Sequence, residues 1–550
     1  MTAPPPSATS PTATAARGSG IARAALLVAV VTVVARAVGF GRILVFAHTV
    51  GPSCLGDTYY TANTVPNILF DIVAGGALAG AVVPLLAGPV DRRDHAEADR
   101  TASALLTWTL LLLLPVAILG VVLARPLMNL LVGSGHPGCP AGQEQAVGAR
   151  MLVVFMPQVL LYGAGIVLTG LLQAHRRFVG PALAPLCSSL VVIAAYLAFA
   201  ATAQRRETAL STLTRGHELL LSVGTTLGVV ALVLPLLLPL RGTGRRLRPR
   251  LHFPPGVART AARLAAAGAV VLASQDIATA VVLRLANSYG TSGAVVLYNL
   301  AWTVFLLPWA VLAVPIATAS FPNLVASWHK SDVPGFATTS ARTTRVVLLG
   351  SAAAAAVMVA TARPAARVVV LGAPGRVAPA DLAWALAAFA PGLVGFGLVA
   401  HLSRVHYARG DARTPAGATA AGWALAIVLD VVLVLSLPRS WAAAALGLGT
   451  TIGTTAAAVW MLLVLHRRVP HALRGADATI VAGLGAAVLA GAAGAAVAAA
   501  LPAGGVATSV VETVGVTVVA VGVIALVAWA RDRDTFELLL RRRPRVTDAS

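Results

Sequence analysis

Residues 21–48, IARAALLVAVVTVVARAVGFGRILVFAH, decide how this chain is read. The run is long enough to cross a hydrocarbon layer about 30 Å thick as a helix rising about 1.5 Å per residue. Its second half nevertheless carries Arg36 and Arg42, with Arg36 roughly 22 Å from the start of the helix. Each arginine at bilayer depth costs about 2.5–3.5 kcal/mol, and the apolar residues around it return only a few tenths each. Two such charges roughly cancel the insertion free energy, so both are expected to face protein or water. Their spacing of six puts them about 120° apart on an ideal helix. Gly39 and Gly41, lying between them, permit a bend that turns both toward one cavity. The alternative is that each arginine snorkels to the interface or pairs with an internal acid.

The rest of the composition agrees with a membrane protein. Hydrophobic residues make up 58% of 550 positions and charged residues only 11%. A net charge of +21 would suggest nucleic acid in a soluble chain. Here the arginines sit in short clusters between long apolar runs, which points to membrane topology and no nucleic-acid partner. Lys330, the only lysine, follows His329, so the Gly-Lys-Ser/Thr ending of a phosphate-cradling loop is absent. Neither a nucleophile elbow nor a zinc signature is present, and the chain is read as a non-enzyme.

About fourteen segments of roughly 20 residues are able to cross the membrane. They are expected near 21–47, 61–88, 101–124, 147–172, 181–203, 218–240, 257–286, 294–328, 344–362, 381–403, 415–437, 440–465, 477–501 and 508–530. Helices are the only sensible structure for such runs, because lipid offers no partner to an open backbone. With the N-terminus cytoplasmic, the inner loops hold about 28 Lys/Arg and the outer loops about 8, which favours an even number of spans with both termini inside. The heaviest inner clusters are Arg92-Arg93, Arg176-Arg177, Arg241 to Arg250, Arg467-Arg468 and Arg541 to Arg543. No signal peptide is evident at the start.

A weak internal repeat divides the chain. AGAVVPLLA, with Pro84, echoes TASFPNLVA, with Pro322, and HRRFVGPALAP, with Pro185, echoes VHYARGDARTP, with Pro415. Both pairs are separated by roughly 230–240 residues, which is six spans, an even number that keeps the second copy in the first copy's orientation. The expected fold is an all-α polytopic membrane protein with two parallel six-helix lobes around a central cavity. The divisions are a disordered cytoplasmic tail at 1–20, a lobe at 21–240, a basic loop at 241–256 and a second lobe at 257–470. Two extra helices at 471–530 and a basic tail at 531–550 follow, the tail's RDRDTFELLLRRRPR reading as an interfacial amphipathic helix.

The opening run, extended to residue 87, resembles the MurJ/MviN lipid II flippases. The matching pattern is Arg36, Gly39-Phe40, Arg42, Gly51, Asp57, Pro66-Asn67, Gly76 and Pro84. Phe178-x-x-Pro-Ala-Leu-Ala-Pro185, Phe321-Pro322 and Tyr407-Ala-x-Gly-Asp411-Ala-x-Thr414-Pro415 match as well. The resemblance implies the fold of the multidrug/oligosaccharidyl-lipid/polysaccharide exporter superfamily. It also implies alternating-access transport of an undecaprenyl-pyrophosphate-linked peptidoglycan precursor to the outer leaflet of a bacterial cytoplasmic membrane. Its partners would then be that precursor, membrane lipids and other cell-wall synthesis proteins. Guanidinium groups bind phosphate oxygens bidentately and tolerate low dielectric, so Arg36 and Arg42 are the first candidates for the pyrophosphate. Asp57 and Asn67 join them as motif positions.

Departures from the family pattern are equally visible. An arginine pair common after the Pro-Asn of span 2 is replaced by Phe70 and Asp71, and an arginine of span 8 aligns with Thr303. Arg284, deep in span 7, is either a third cavity cation or the partner of Asp276. Asp430 and Thr450 match family positions implicated in sodium coordination, but the family's Asn one turn before is Ala426 here. Asp430, Thr450 and Asp276 are therefore candidates for Na⁺ or H⁺ coupling, against the plain reading of Asp430 as a packed acid. Cys54 and Cys139 fall in outer loops and are either a disulfide or free thiols, while Cys187 lies within span 5. Two other functions stay open: export of another polyprenyl-linked oligosaccharide or a drug, and a non-transporting cell-wall scaffold. The insertion cost of Arg36 and Arg42 argues against the scaffold.

Overall fold

The computed structural model describes residues 12–531 apart from 73–81, 83–84, 91, 93, 137, 204–208, 242–247, 253–256, 376 and 501–504. Gly76, Pro84, most of the basic loop 241–256 and the basic tail therefore lie outside the described residues. Among the described residues, thirteen helices are long and apolar enough to cross a membrane, by length and composition. The second expected span is described only as Cys54–Phe70 and a further helical stretch at 85–90.

The helices are α1 (Thr12–Thr49), α2 (Cys54–Phe70), α3 (His95–Val122), α4 (Ala124–Val132), α5 (Ala141–Phe155), α6 (Gln158–Ala174), α7 (Val179–Thr202) and α8 (Arg215–Arg241). There follow α9 (Val257–Tyr289), α10 (Ala294–Pro308), α11 (Val314–His329), α12 (Val333–Val370), α13 (Pro379–Phe389), α14 (Gly392–Ala408), α15 (Arg413–Ser436), α16 (Ala442–Arg468), α17 (Ala476–Ala500) and α18 (Val506–Arg531). The tail expected to be disordered over 1–20 is instead helical from Thr12. Its TATAAR start is rich in alanine, the strongest helix former, and simply extends the first span.

Two spans break at prolines and a third contains a π-helix. Span 4 breaks at Met156-Pro157 into α5 and α6, and span 10 breaks at Ala390-Pro391 into α13 and α14. Each proline lacks the N–H that would continue the ladder. The second break follows the first at the repeat spacing of roughly 230–240 residues. Span 8 passes from α10 through a five-residue π-helix, Trp309–Ala313, into α11. π-Turns of this kind are places where a helix is locally remodelled.

Packing repeats along with sequence. In the first half α1 lies on α7, α7 on α8, and α6 on both α3 and α8. In the second half the corresponding α9 lies on α15, α15 on α16, and α14 on both α12 and α16. Helices α17 and α18 pack on each other and on α12, outside the repeated set. The largest buried cluster joins both halves, with Phe46, Tyr59 and Phe155 from the first and Phe305 and Phe389 from the second.

Candidate functional site

Arg36 and Arg42 line a cavity of about 520 Å³ between α1, α7, α8 and α10. Arg36 is exposed and Arg42 half-buried. Neither guanidinium is paired with a carboxylate among the described residues, and the cavity lining contains no acid. Thr303, the position where the family resemblance leads one to expect an arginine, lines the same cavity from the other lobe. Ser188 and Ser189 of α7 supply its hydroxyl groups. Beneath Arg42 lies a tyrosine cluster that the sequence did not advertise. The Tyr59 hydroxyl is bonded to those of Tyr196 at 2.8 Å and Thr225 at 2.6 Å, and Phe46 packs tilted against Tyr59 and edge-to-face against Tyr60 and Tyr196.

A second cavity, about 240 Å³, lies on the other side of α10. It gathers Asn67 from α2, Asp276 from α9, Asp430 from α15 and Thr450 from α16, with Tyr298, Asn299 and Trp302 of α10. All three ion-coupling candidates are thus brought together, along with one motif residue. Asp430 is buried and both its carboxylate oxygens lack a hydrogen-bond donor, as does Oδ2 of Asp276. Gly449 makes room for this carboxylate, since a Cβ there would stand 1.9 Å from Oδ1 of Asp430. A buried acid without donors is costly unless a proton or cation shares it. Carboxylate, hydroxyl and amide oxygens are the donor set that a hard cation takes.

Asp57 and Arg284 are placed elsewhere. Asp57 is fully buried at the start of α2, its oxygens accepting the backbone N–H groups of Gly293 at 2.6 Å and Val296 at 3.0 Å. It therefore caps α10, across the seam between lobes, where the helix dipole favours an anion. Arg284 donates to Ser288 and to the Val132 carbonyl at 3.5 Å, on the last turn of α4. Among the described residues it forms no ion pair with Asp276. Asn287 adds bonds to the Thr61 hydroxyl at 2.9 Å and the Leu131 carbonyl at 3.3 Å, and Ser288 one to Val132 at 3.1 Å. The α1–α2 turn closes the same seam: a Cβ on Gly51, at φ +70°, would meet the Pro374 carbonyl at 2.3 Å. One end of the molecule is latched, and no local sequence signal announced it.

Cys54 and Cys139 form a disulfide at that latched end, with Cα atoms 5.6 Å apart. Beside it, His136, Cys139 and Glu144 are buried within a few ångströms of one another, and His136 Nε2 is 3.9 Å from Asp57. At the opposite end Asp411, in the motif after α14, accepts from the Thr414 backbone and hydroxyl and pairs with Arg468 at 3.2 Å.

Two lobes repeating one packing plan, with cavities along their seam, define a two-bundle polytopic membrane fold. Solved structures with this fold include one described as lipid II flippase MurJ in an inward closed conformation, at 17% identity and TM-score 0.72, covering 94% of this chain and 100% of that one. An inward-facing multidrug transporter of the MATE family follows at 16% identity and TM-score 0.65, with 80% and 94% covered. The family model described as lipid II flippase MurJ matches residues 46–528, and the chain belongs to that family. Among curated relatives, the lipid II flippase MurJ of Burkholderia cenocepacia is 31% identical over 180 residues, 32% of this chain and 33% of that protein. A probable lipid II flippase MurJ of Synechocystis is 29% identical over 242 residues, 43% of each. The aligned stretches thus span about a third to under half of the curated relatives' length.

Proposed function

We propose that this chain moves a lipid-linked pyrophosphate, the undecaprenyl-linked peptidoglycan precursor, from the inner to the outer leaflet of a bacterial cytoplasmic membrane. One observation carries the reading: Arg36 and Arg42 share an acid-free cavity bounded by both lobes. Charge held there without a counter-ion suits a transiting anion, because planar guanidinium groups grip phosphate oxygens in pairs. The lobes rock about the seam, so that the end now latched by Asp57, Asn287 and Arg284 opens when the other closes. In this orientation the disulfide end faces outward, where oxidation is favoured, both termini are cytoplasmic, and other cell-wall synthesis proteins are the natural neighbours. The chain supplies passage only and catalyses no covalent step.

The second cavity supplies the coupling. Asp430, Thr450 and Asp276 would hold Na⁺ or a proton, compensating buried carboxylates that otherwise lack donors. An inside-negative potential adds about 2.3 kcal/mol per charge per 100 mV to outward movement of an anionic headgroup. Unchanged transport in proteoliposomes after an ionophore collapses the potential would remove that contribution from the scheme.

The test is depletion of the native protein with complementation by Arg36→Ala and Arg42→Ala variants, reading exposure of the precursor at the outer leaflet. Loss of exposure at normal expression is expected. Normal exposure would refute the arginine role. Thr303 in place of an arginine favours one second reading, a different polyprenyl-linked oligosaccharide, and transport of that lipid in preference to the peptidoglycan precursor would select it.

A further inference from the structure

At the end opposite the disulfide, the start of α12 and the turn between α16 and α17 enclose a cavity of about 620 Å³. Arg342 and Arg345 enter it from α12, and His471 and Arg474 from the turn. His471 holds a left-handed backbone, φ 63°, and Gly475 another at 75°. A non-glycine residue in that region is costly and persists only where its surroundings enforce it. Arg345 packs along Gly475, and its Nε is buried with no acceptor.

None of the three guanidiniums is paired with a carboxylate among the described side chains. Asp332, at the start of α12, already accepts the Gly335 N–H at 2.9 Å. In sequence the turn is followed by one acid, Asp477. Positive charge is therefore in excess here, and it lines one concavity.

One helical turn deeper a groove of about 860 Å³ opens, its wall formed by Leu348 and Ala352 on α12 and by Thr479, Ile480 and Gly483 on α17. Leu348 and Thr479 follow Arg345 and Gly475 by about one turn, roughly 5 Å, and Ala352 and Gly483 by about two. A cationic cavity with an apolar groove beginning about one turn further along the same two helices is complementary to a phosphate joined to hydrocarbon. We propose that this pocket binds the phosphate-bearing headgroup of an anionic membrane lipid, whose chains lie in the groove, at a site separate from the arginine cavity of α1.

Full-length protein in detergent is titrated with phosphatidylglycerol, phosphatidylcholine and inorganic phosphate, and bound species are counted by native mass spectrometry. The triple variant Arg342→Gln, Arg345→Gln, Arg474→Gln is compared with a charge-matched control, Arg92→Gln, Arg176→Gln, Arg177→Gln, at the same end. The expected result is about a hundredfold weaker phosphatidylglycerol binding in the triple variant, each arginine contributing about fivefold. The control should bind as the parent does. Arg345→Gln alone should show part of the loss, which guards against a misfolded triple variant. Equal affinity of triple variant and parent, an equal loss in the control, or no preference over phosphatidylcholine overturns the site. Displacement of the lipid by millimolar inorganic phosphate overturns the lipid assignment.

Discussion

Asp57 in the first lobe holds the backbone N–H of Gly293 in the second at 2.6 Å, 236 positions further along the chain. Such a bond, charge-assisted and at a helix N-terminus, is worth on the order of 1–3 kcal/mol. Asp57→Ala should therefore loosen the latched end by about that amount. Distances between spin labels at Thr212 and Arg439, in a Cys187→Ser background, should lengthen and broaden. An unchanged distribution would show that the latch does not depend on this carboxylate.

Reduction of the disulfide should lower thermal stability. Cys54 and Cys139 are 85 residues apart, for which chain entropy sets an upper bound of roughly 4–5 kcal/mol. Confinement of the unfolded chain by the bilayer reduces that figure. A melting curve that moves with reductant in the parent and stays still in the Cys54→Ser, Cys139→Ser variant is the expected pattern.

Gly449→Ala places a methyl group on Asp430, since the Cβ would come within 1.9 Å of Oδ1. The carboxylate must then leave its present position. If Asp430 holds the coupling cation, Gly449→Ala and Asp430→Asn should both abolish any increase in melting temperature caused by Na⁺ or by acidification. Retention of the parent's response in Asp430→Asn would locate coupling elsewhere.

Asp411 gives a pH prediction outside the spans. Burial pushes its carboxyl up, but the Thr414 hydroxyl, the Thr414 N–H and the nearby His406 ring outweigh burial and leave it below its ordinary 3.8. A depressed folded value means stability that is present above about pH 4 and disappears as pH falls through the folded value. Asp411→Asn should melt below the parent at neutral pH, with the two curves converging in strong acid. A constant difference across that range would contradict the assignment.

What was legible in the sequence, and what was not, divides along physical lines. Hydrophobic runs of about 20 residues are set by bilayer thickness alone, so the spans could be read directly. Arg36 and Arg42 were legible because charge inside an apolar run is conspicuous. Asp57 sits in the same motif, yet its partners are backbone groups of a distant helix, and nothing local distinguishes a cap for α10 from a ligand for substrate. For Arg284 the sequence offers Asp276 on its own helix as a partner, whereas its acceptors are Ser288 on that helix and the Val132 carbonyl on the last turn of α4 in the other lobe. The breaks at Pro157 and Pro391 were hidden for a different reason: hydropathy averages over them and reports one continuous crossing.

Those two interruptions have a larger meaning. A plan used twice leaves each copy free to depart from the other in charge while preserving shape. In α1 the departure is a pair of arginines, and in its structural counterpart α9 it is Asp276, joined by Asp430 from α15. The cavity on the α1 side of α10 is lined by arginines and the one on its other side by carboxylates. Under the proposed function the pseudo-symmetric scaffold keeps cargo and coupling ion on opposite sides of α10, and a swap of α1 for α9 would preserve the architecture while erasing that separation.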